Sequence, residues 1–131
     1  MTRLVLDTSM LIGQPVQVEA GMVAAVTAIS FAELEYGAAL PSLSPTERAI
    51  RQQRLARLRA KFGPGLPFDD AAASSYGLTT RFVLESGRQI KGRVLDLMIV
   101  AIAHAHGATL LTRDRADLAP LDPLVRIVVQ P

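Results

Sequence analysis

Short apolar runs rich in β-branched residues alternate along this chain with longer segments that open on helix-capping residues. That alternation leaves few folds open. Strands separated by helices pair in parallel through right-handed crossovers, so the chain reads as α/β, with a central, mainly parallel β-sheet flanked by α-helices in three layers. Arg3–Leu6 is expected as a first buried strand and Val23–Ile29 as a second that ends at Ser30. Leu66-Pro67-Phe68 offers a short strand, and Ala108–Thr112 and Val125–Val129 complete the set. Ser30-Phe31-Ala32-Glu33 and Ser44-Pro45-Thr46-Glu47 both match the capping-box pattern and are expected to open helices, the second running to about Phe62. Asp69 or Asp70 caps an Ala-rich helix to about Glu85. Val94–His106 is apolar on nearly every side, as a helix buried against a sheet must be, and Gly107 ends it.

With 131 residues, half of them hydrophobic and 20% charged, one domain spanning residues 1–131 is expected. Cysteine is absent, which excludes disulfides, thiolate zinc sites and a cysteine nucleophile and makes the cytoplasm the expected compartment. The apolar stretch after Arg3 is cut by Asp7, far short of a signal-peptide core, and no run reaches the length of a membrane span.

Four acids then occupy related places. Asp7 follows the first strand, Glu33 the second and Asp114 the strand at 108–112, so all three belong at the carboxyl rim where such sheets bind ligands. Asp96 lies in the first turns of the helix that feeds the strand ending at Thr112, which brings it to the same rim. Carboxylates gathered this closely repel one another unless a cation intervenes. An all-oxygen set suits Mg²⁺, with Mn²⁺ as a substitute, and the matching chemistry is phosphodiester hydrolysis. Each acid also has a plainer reading. Asp7 can cap the turn Thr8–Leu11, Glu33 can complete the box with Ser30, and Asp114 can cap a turn reaching Asp117. Asp96 interrupts a wholly apolar stretch and needs a partner or a metal; Arg93, three residues earlier, is placed to be one.

Thr8, Ser9, Ser30 and Thr112 flank these acids with hydroxyls, and Asp117 is a possible outer member of the group. His104 and His106 stand two apart on a helix, lack the i, i+4 zinc spacing and read as structural. Lys61 and Lys91 are the two lysines among fourteen basic residues; the rest are Arg, the side chain suited to bidentate phosphate contacts. Arg48, Arg51, Arg54 and Arg57 recur every third residue on the helix at 44–62. The stripe is either a solvated face or a track for a polyanion.

In that order and spacing, Leu4-Val5-Leu6-Asp7-Thr8-Ser9, Ser30-Phe31-Ala32-Glu33-Leu34-Glu35-Tyr36-Gly37, Gly92-Arg93-Val94-Leu95-Asp96 and Leu111-Thr112-Arg113-Asp114-Arg115-Ala116-Asp117-Leu118 resemble the motifs of the PIN-domain ribonucleases, most closely the VapC-type toxins. The similarity covers essentially the whole chain. It implies a PIN-like fold, a Mg²⁺-dependent endoribonuclease with Asp7, Glu33, Asp96 and Asp114 as metal-binding acids, Thr112 in support, and Asp117 as a more variable acid. It further implies an RNA substrate, a small cognate antitoxin and a homodimer. Met10, Leu11, Ile12, Phe31 and Leu34 are expected to form an apolar groove for the antitoxin's helix. Two other readings compete: a Mg²⁺-binding, phosphoryl-accepting receiver-like domain, and a PIN-like module that binds RNA or protein without cleaving. The first needs an acidic pair after the first strand, whereas Asp69-Asp70 come mid-chain. The second needs missing acids, and all four are present.

Overall fold

The apolar runs become strands in the computed structural model, which describes residues 2–15, 17–114, 118 and 121–130. β1 (Thr2–Leu6), β2 (Met22–Val26), β3 (Thr109–Thr112) and β4 (Ile127–Val129) form one sheet in the order β2-β1-β3-β4. Each of its pairings is parallel, so the sheet expected to be mainly parallel is wholly so among the described residues. The strands therefore all end on one rim.

The α-helices of the described residues, α1 (Ala28–Ala39), α2 (Pro45–Phe62), α3 (Asp70–Glu85) and α4 (Val94–Ala105), all lie in the connection from β2 to β3. Strand periodicity decides which helices cover which face. Val5 and its neighbour Leu110 are buried with Val83 of α3 and Leu97, Val100 and Ala103 of α4. One residue on, Leu6, Val26 and Leu111 lie side by side and are buried with Phe31 of α1 and Leu55 of α2. Two cores on opposite faces make the three layers. α4 is apolar all round because it packs against the sheet and α3 together, and Ile99 through Ala103 are fully enclosed.

Helix starts mostly follow the caps. Ser44 accepts from the Glu47 amide at 3.1 Å, and Asp69 accepts from the Ala72 amide at 3.0 Å. The start of α1 differs from expectation. β2 stops at Val26, and Thr27 is the cap, its hydroxyl accepting from the Ser30 amide at 3.1 Å. Ser30-Phe31-Ala32-Glu33 is thus inside the helix and not a capping box. The reason is competition: Thr27-Ala28-Ile29-Ser30 offers a cap a turn earlier, and a helix taken from there satisfies more backbone donors.

Leu66 makes one parallel bridge to Thr27 and no strand follows. Pro64 and Pro67 flank it and lack the amide donors a ladder needs. The bridge still ties the start of α1: Leu66 donates to the Val26 carbonyl at 2.9 Å and accepts from the Ala28 amide at 2.8 Å. Gly65 permits the close approach, since a Cβ there would sit 2.6 Å from the Ala28 nitrogen. At the far edge, Val125 is buried in the core instead of opening β4.

Candidate metal centre

Asp7 is the first residue past β1, and it is buried at 5% exposure. A 3₁₀ turn, Thr8–Leu11, begins immediately after it, yet the Asp7 side chain caps nothing. Its Oδ2 instead accepts from Ser9 Oγ at 2.7 Å and from Thr112 Oγ1, at the end of β3, at 2.9 Å. Its Oδ1 is buried with no hydrogen-bond partner. A carboxylate oxygen withdrawn from water and left unpaired is expensive in a folded chain and calls for a ligand.

Glu33 is reached through hydroxyls. Thr8 Oγ1 lies 2.8 Å from Glu33 Oε1, and because the carboxylate only accepts, Thr8 donates. That commits the single Thr8 proton, so in the 2.8 Å contact between Thr8 and Ser30 the donor is Ser30. Ser30 Oγ in turn accepts from Thr27 Oγ1 at 3.4 Å. Thr27 and Ser30 are fully enclosed. A directed chain of hydroxyls thus runs from the end of β2, through α1, to the Glu33 carboxylate. Displacing Ser30 from the cap is what frees its side chain for this role. Asp7 and Glu33 therefore do not play the capping parts that offered a plainer account of them.

Asp114 follows β3, and its amide donates to Thr112 Oγ1 at 3.0 Å, so one buried hydroxyl holds Asp7 and the Asp114 backbone together. α4 runs opposite to the strands, which brings its first turn to the carboxyl rim. Asp96 there shares a cavity of about 330 Å³ with Glu33. Neither Asp96 nor Arg93 is without a partner. Asp117 lies outside the described residues.

The four acids thus border one rim, but they do not close into a cage: among the described residues no three Asp, Glu or His side chains stand close enough together to hold a metal as they are. Like charges on such a rim repel, and a bound cation would offset that repulsion. The residues nevertheless fit a hard divalent ion. Every donor is oxygen, and the Asp7 Oδ1 left without a partner is the kind of ligand Mg²⁺ takes.

This chain matches the PIN domain over residues 4–119. The chain belongs to the PIN-domain family. Its relatives are VapC-like: it is 36% identical over 99 residues to Ribonuclease VapC5 of Mycobacterium tuberculosis, a match covering 75% of this chain and 68% of that one. Among solved structures it resembles a member of the VapBC family of toxin-antitoxin systems, VapBC-5 from Mycobacterium tuberculosis, at 33% identity and a TM-score of 0.79 over 98% of each chain. FitAcB from Neisseria gonorrhoeae follows at 27% identity and a TM-score of 0.74 over 95% of each. Membership in this PIN family displaces the receiver-like reading.

The basic stripe on α2 divides when its contacts are traced. Arg48 donates to the Ala38 and Leu40 carbonyls at 2.7 and 2.8 Å and so closes the end of α1. Arg51 donates to the Gly37 carbonyl at 2.8 Å while also lining, with Arg54, a cleft of about 470 Å³ that reaches Thr8 and Glu33. Arg57 is exposed on the outer face. The expected apolar groove divides too. Met10, Leu11 and Phe31 are core residues; Ile12 and Leu34 line the Arg51–Arg54 cleft. His104 Nδ1 meets Ser75 Oγ at 2.8 Å between α4 and α3, a structural tie. Thr27 was not foreseen from the sequence, although its spacing of three from Ser30 was the available signal.

Proposed function

We propose that this protein is a Mg²⁺-dependent endoribonuclease that acts in the cytoplasm as the toxin of a toxin–antitoxin pair. The observation that carries the reading is the buried, unpartnered Asp7 Oδ1 at the carboxyl rim of a PIN-family sheet. Its relative named as a ribonuclease and the VapBC and FitAcB structures support the same reading. Asp7, Glu33, Asp96 and Asp114 would hold Mg²⁺ or Mn²⁺. When bound, the ion supplies charge neutralisation at a scissile phosphate and activation of the attacking water.

The chain's own residues do the rest. Ser9 and Thr112 saturate Asp7 Oδ2, which leaves the buried Oδ1 as the unpaired ligand atom. Thr8 holds Glu33 Oε1 and leaves Oε2 for the cation. Arg51 and Arg54 line the approach and attract the phosphate backbone without reading bases. A small cognate antitoxin silences the nuclease, and the working form is a homodimer. No helix among the described residues is long and apolar enough to cross a membrane.

The test is incubation of the purified chain with structured RNA, with and without Mg²⁺ or Mn²⁺, beside Asp96→Asn. Cleavage should require the metal, stop with a chelator and vanish in the variant. A folded Asp96→Asn protein that cuts at the parental rate would sink the assignment. Expression alone should arrest growth, and co-expression of the adjacent small reading frame should restore it.

A further inference from the structure

Glu33 separates two clefts of different character. On one side lies the cleft walled by Arg51 and Arg54; on the other, the smaller cavity is lined by Glu33, Gly92, Val94, Leu95 and Asp96. Val94 and Leu95 are large apolar residues at 46% and 47% exposure, both in the first turn of α4. Nothing in the handling of a metal by Asp96 requires apolar neighbours. Two such side chains left in water beside two carboxylates mark a binding surface.

The charges around the cavity restrict what covers it. The loop that leads into α4 carries Arg88, Lys91 and Arg93, and Arg88 and Arg93 border a further small cavity with Asp96. Across Glu33 stand Arg51 and Arg54. A ligand running from the Arg51–Arg54 cleft across Glu33 into this cavity meets cations, then acids suited to a cation, then an apolar lip. A single nucleic-acid strand has that sequence of properties: phosphates spaced along a backbone, with flat apolar bases between them. Gly92, at φ 81°, lines the cavity without a side chain.

We propose that Val94 and Leu95 form a subsite for an unpaired base next to the phosphate positioned over Glu33 and Asp96, so that this lip, and not the basic cleft, selects the site at which single-stranded RNA is engaged. The identity of the ligand rests on the nuclease reading above. Base binding is measured apart from cleavage, so the two can fail separately.

The experiment measures binding of short single-stranded RNA oligonucleotides by fluorescence anisotropy, with Ca²⁺ in place of Mg²⁺ so that the RNA stays whole, and scans an abasic nucleotide through each position. The proteins are the parent, Val94→Ser, Leu95→Ser and the conservative Leu95→Met, each checked for an unchanged melting temperature. Leu95→Ser should weaken binding about tenfold, and Leu95→Met should restore most of it. At one position the abasic RNA should bind the parent about as weakly as intact RNA binds Leu95→Ser. Combining the two should cost no more than either alone. Penalties that add at every position overturn the proposal, as does unchanged affinity in both serine variants. RNA affinity kept while the antitoxin no longer binds would move the lip to the protein interface and overturn it as well. Cleavage by the parent in Mg²⁺ is scored separately: its absence, with the base coupling intact, removes the nuclease reading alone.

Discussion

Replacing Thr112 with valine removes one oxygen from the interior and keeps the volume. Thr112 is fully enclosed; its hydroxyl donates to Asp7 Oδ2 at 2.9 Å and accepts from the Asp114 amide at 3.0 Å. Asp7 keeps the Ser9 bond, so the loss there is one hydrogen bond to a charged group, about 2 kcal/mol. The half-buried Asp114 amide loses its acceptor at a further cost of about 1 kcal/mol. The sum of about 3 kcal/mol is a large share of the 5–15 kcal/mol typical of a folded domain, roughly, and corresponds to a fall in Tm of about 10 °C. Calorimetry on metal-free protein near neutral pH reads it directly, with Thr112→Ser expected to melt close to the parent. Added Mg²⁺ should raise the Tm of the parent more than that of Thr112→Val, because the ion stabilises only the state that binds it. A Thr112→Val protein melting within about 2 °C of the parent would show that this hydroxyl holds neither acid, and the account of the site would fail with it.

Ser30→Ala cuts the hydroxyl chain to Glu33 and should lower Mg²⁺ affinity at least about tenfold, as loss of an outer support for a metal ligand does, measured by titration calorimetry; unchanged affinity would dismiss the chain as packing. Gly65→Ala drives a Cβ toward the Ala28 backbone and should cost about 1–3 kcal/mol in urea unfolding, with no effect expected if the segment simply moves aside. Arg54→Gln should weaken RNA binding and reduce its salt slope by about one, whereas Arg48→Gln should lower the melting temperature and leave the slope alone.

Most of the frame could be read directly from residue order. The acids follow apolar runs, and that placement alone put Asp7, Glu33 and Asp114 at one rim before any contact was known. The helix start at Ser44 was equally legible because it had a single cap, and at Asp69-Asp70 the two candidate caps differ by only one residue. The start of α1 was not legible, since Thr27 and Ser30 both offer a hydroxyl, and local pattern cannot tell which the helix takes. That choice depends on Leu66, which pins Ala28 from 38 residues further along the chain. The Arg stripe misled for a similar reason. A spacing of three drifts by about 60° per step around a helix, so Arg57 ends opposite Arg48, and the open carbonyls at the end of α1, which claim Arg48 and part of Arg51, belong to another helix. Burial of Met10, Leu11 and Phe31 likewise turns on α2 covering the sheet, a tertiary fact.

Thr8 and Ser9 are neighbours in one short turn, yet they serve different carboxylates. Thr8 leans to Glu33 on α1; Ser9 leans to Asp7 and also receives the Arg113 amide at 3.0 Å. Met10 and Leu11 root the turn in the core, and Arg113 grips its exit by donating to the Ile12 and Gln14 carbonyls, each at 3.0 Å. A single turn therefore holds both acids at once. Anything that breaks the Arg113 bonds to Ile12 and Gln14 would loosen the supports of two carboxylates without touching either.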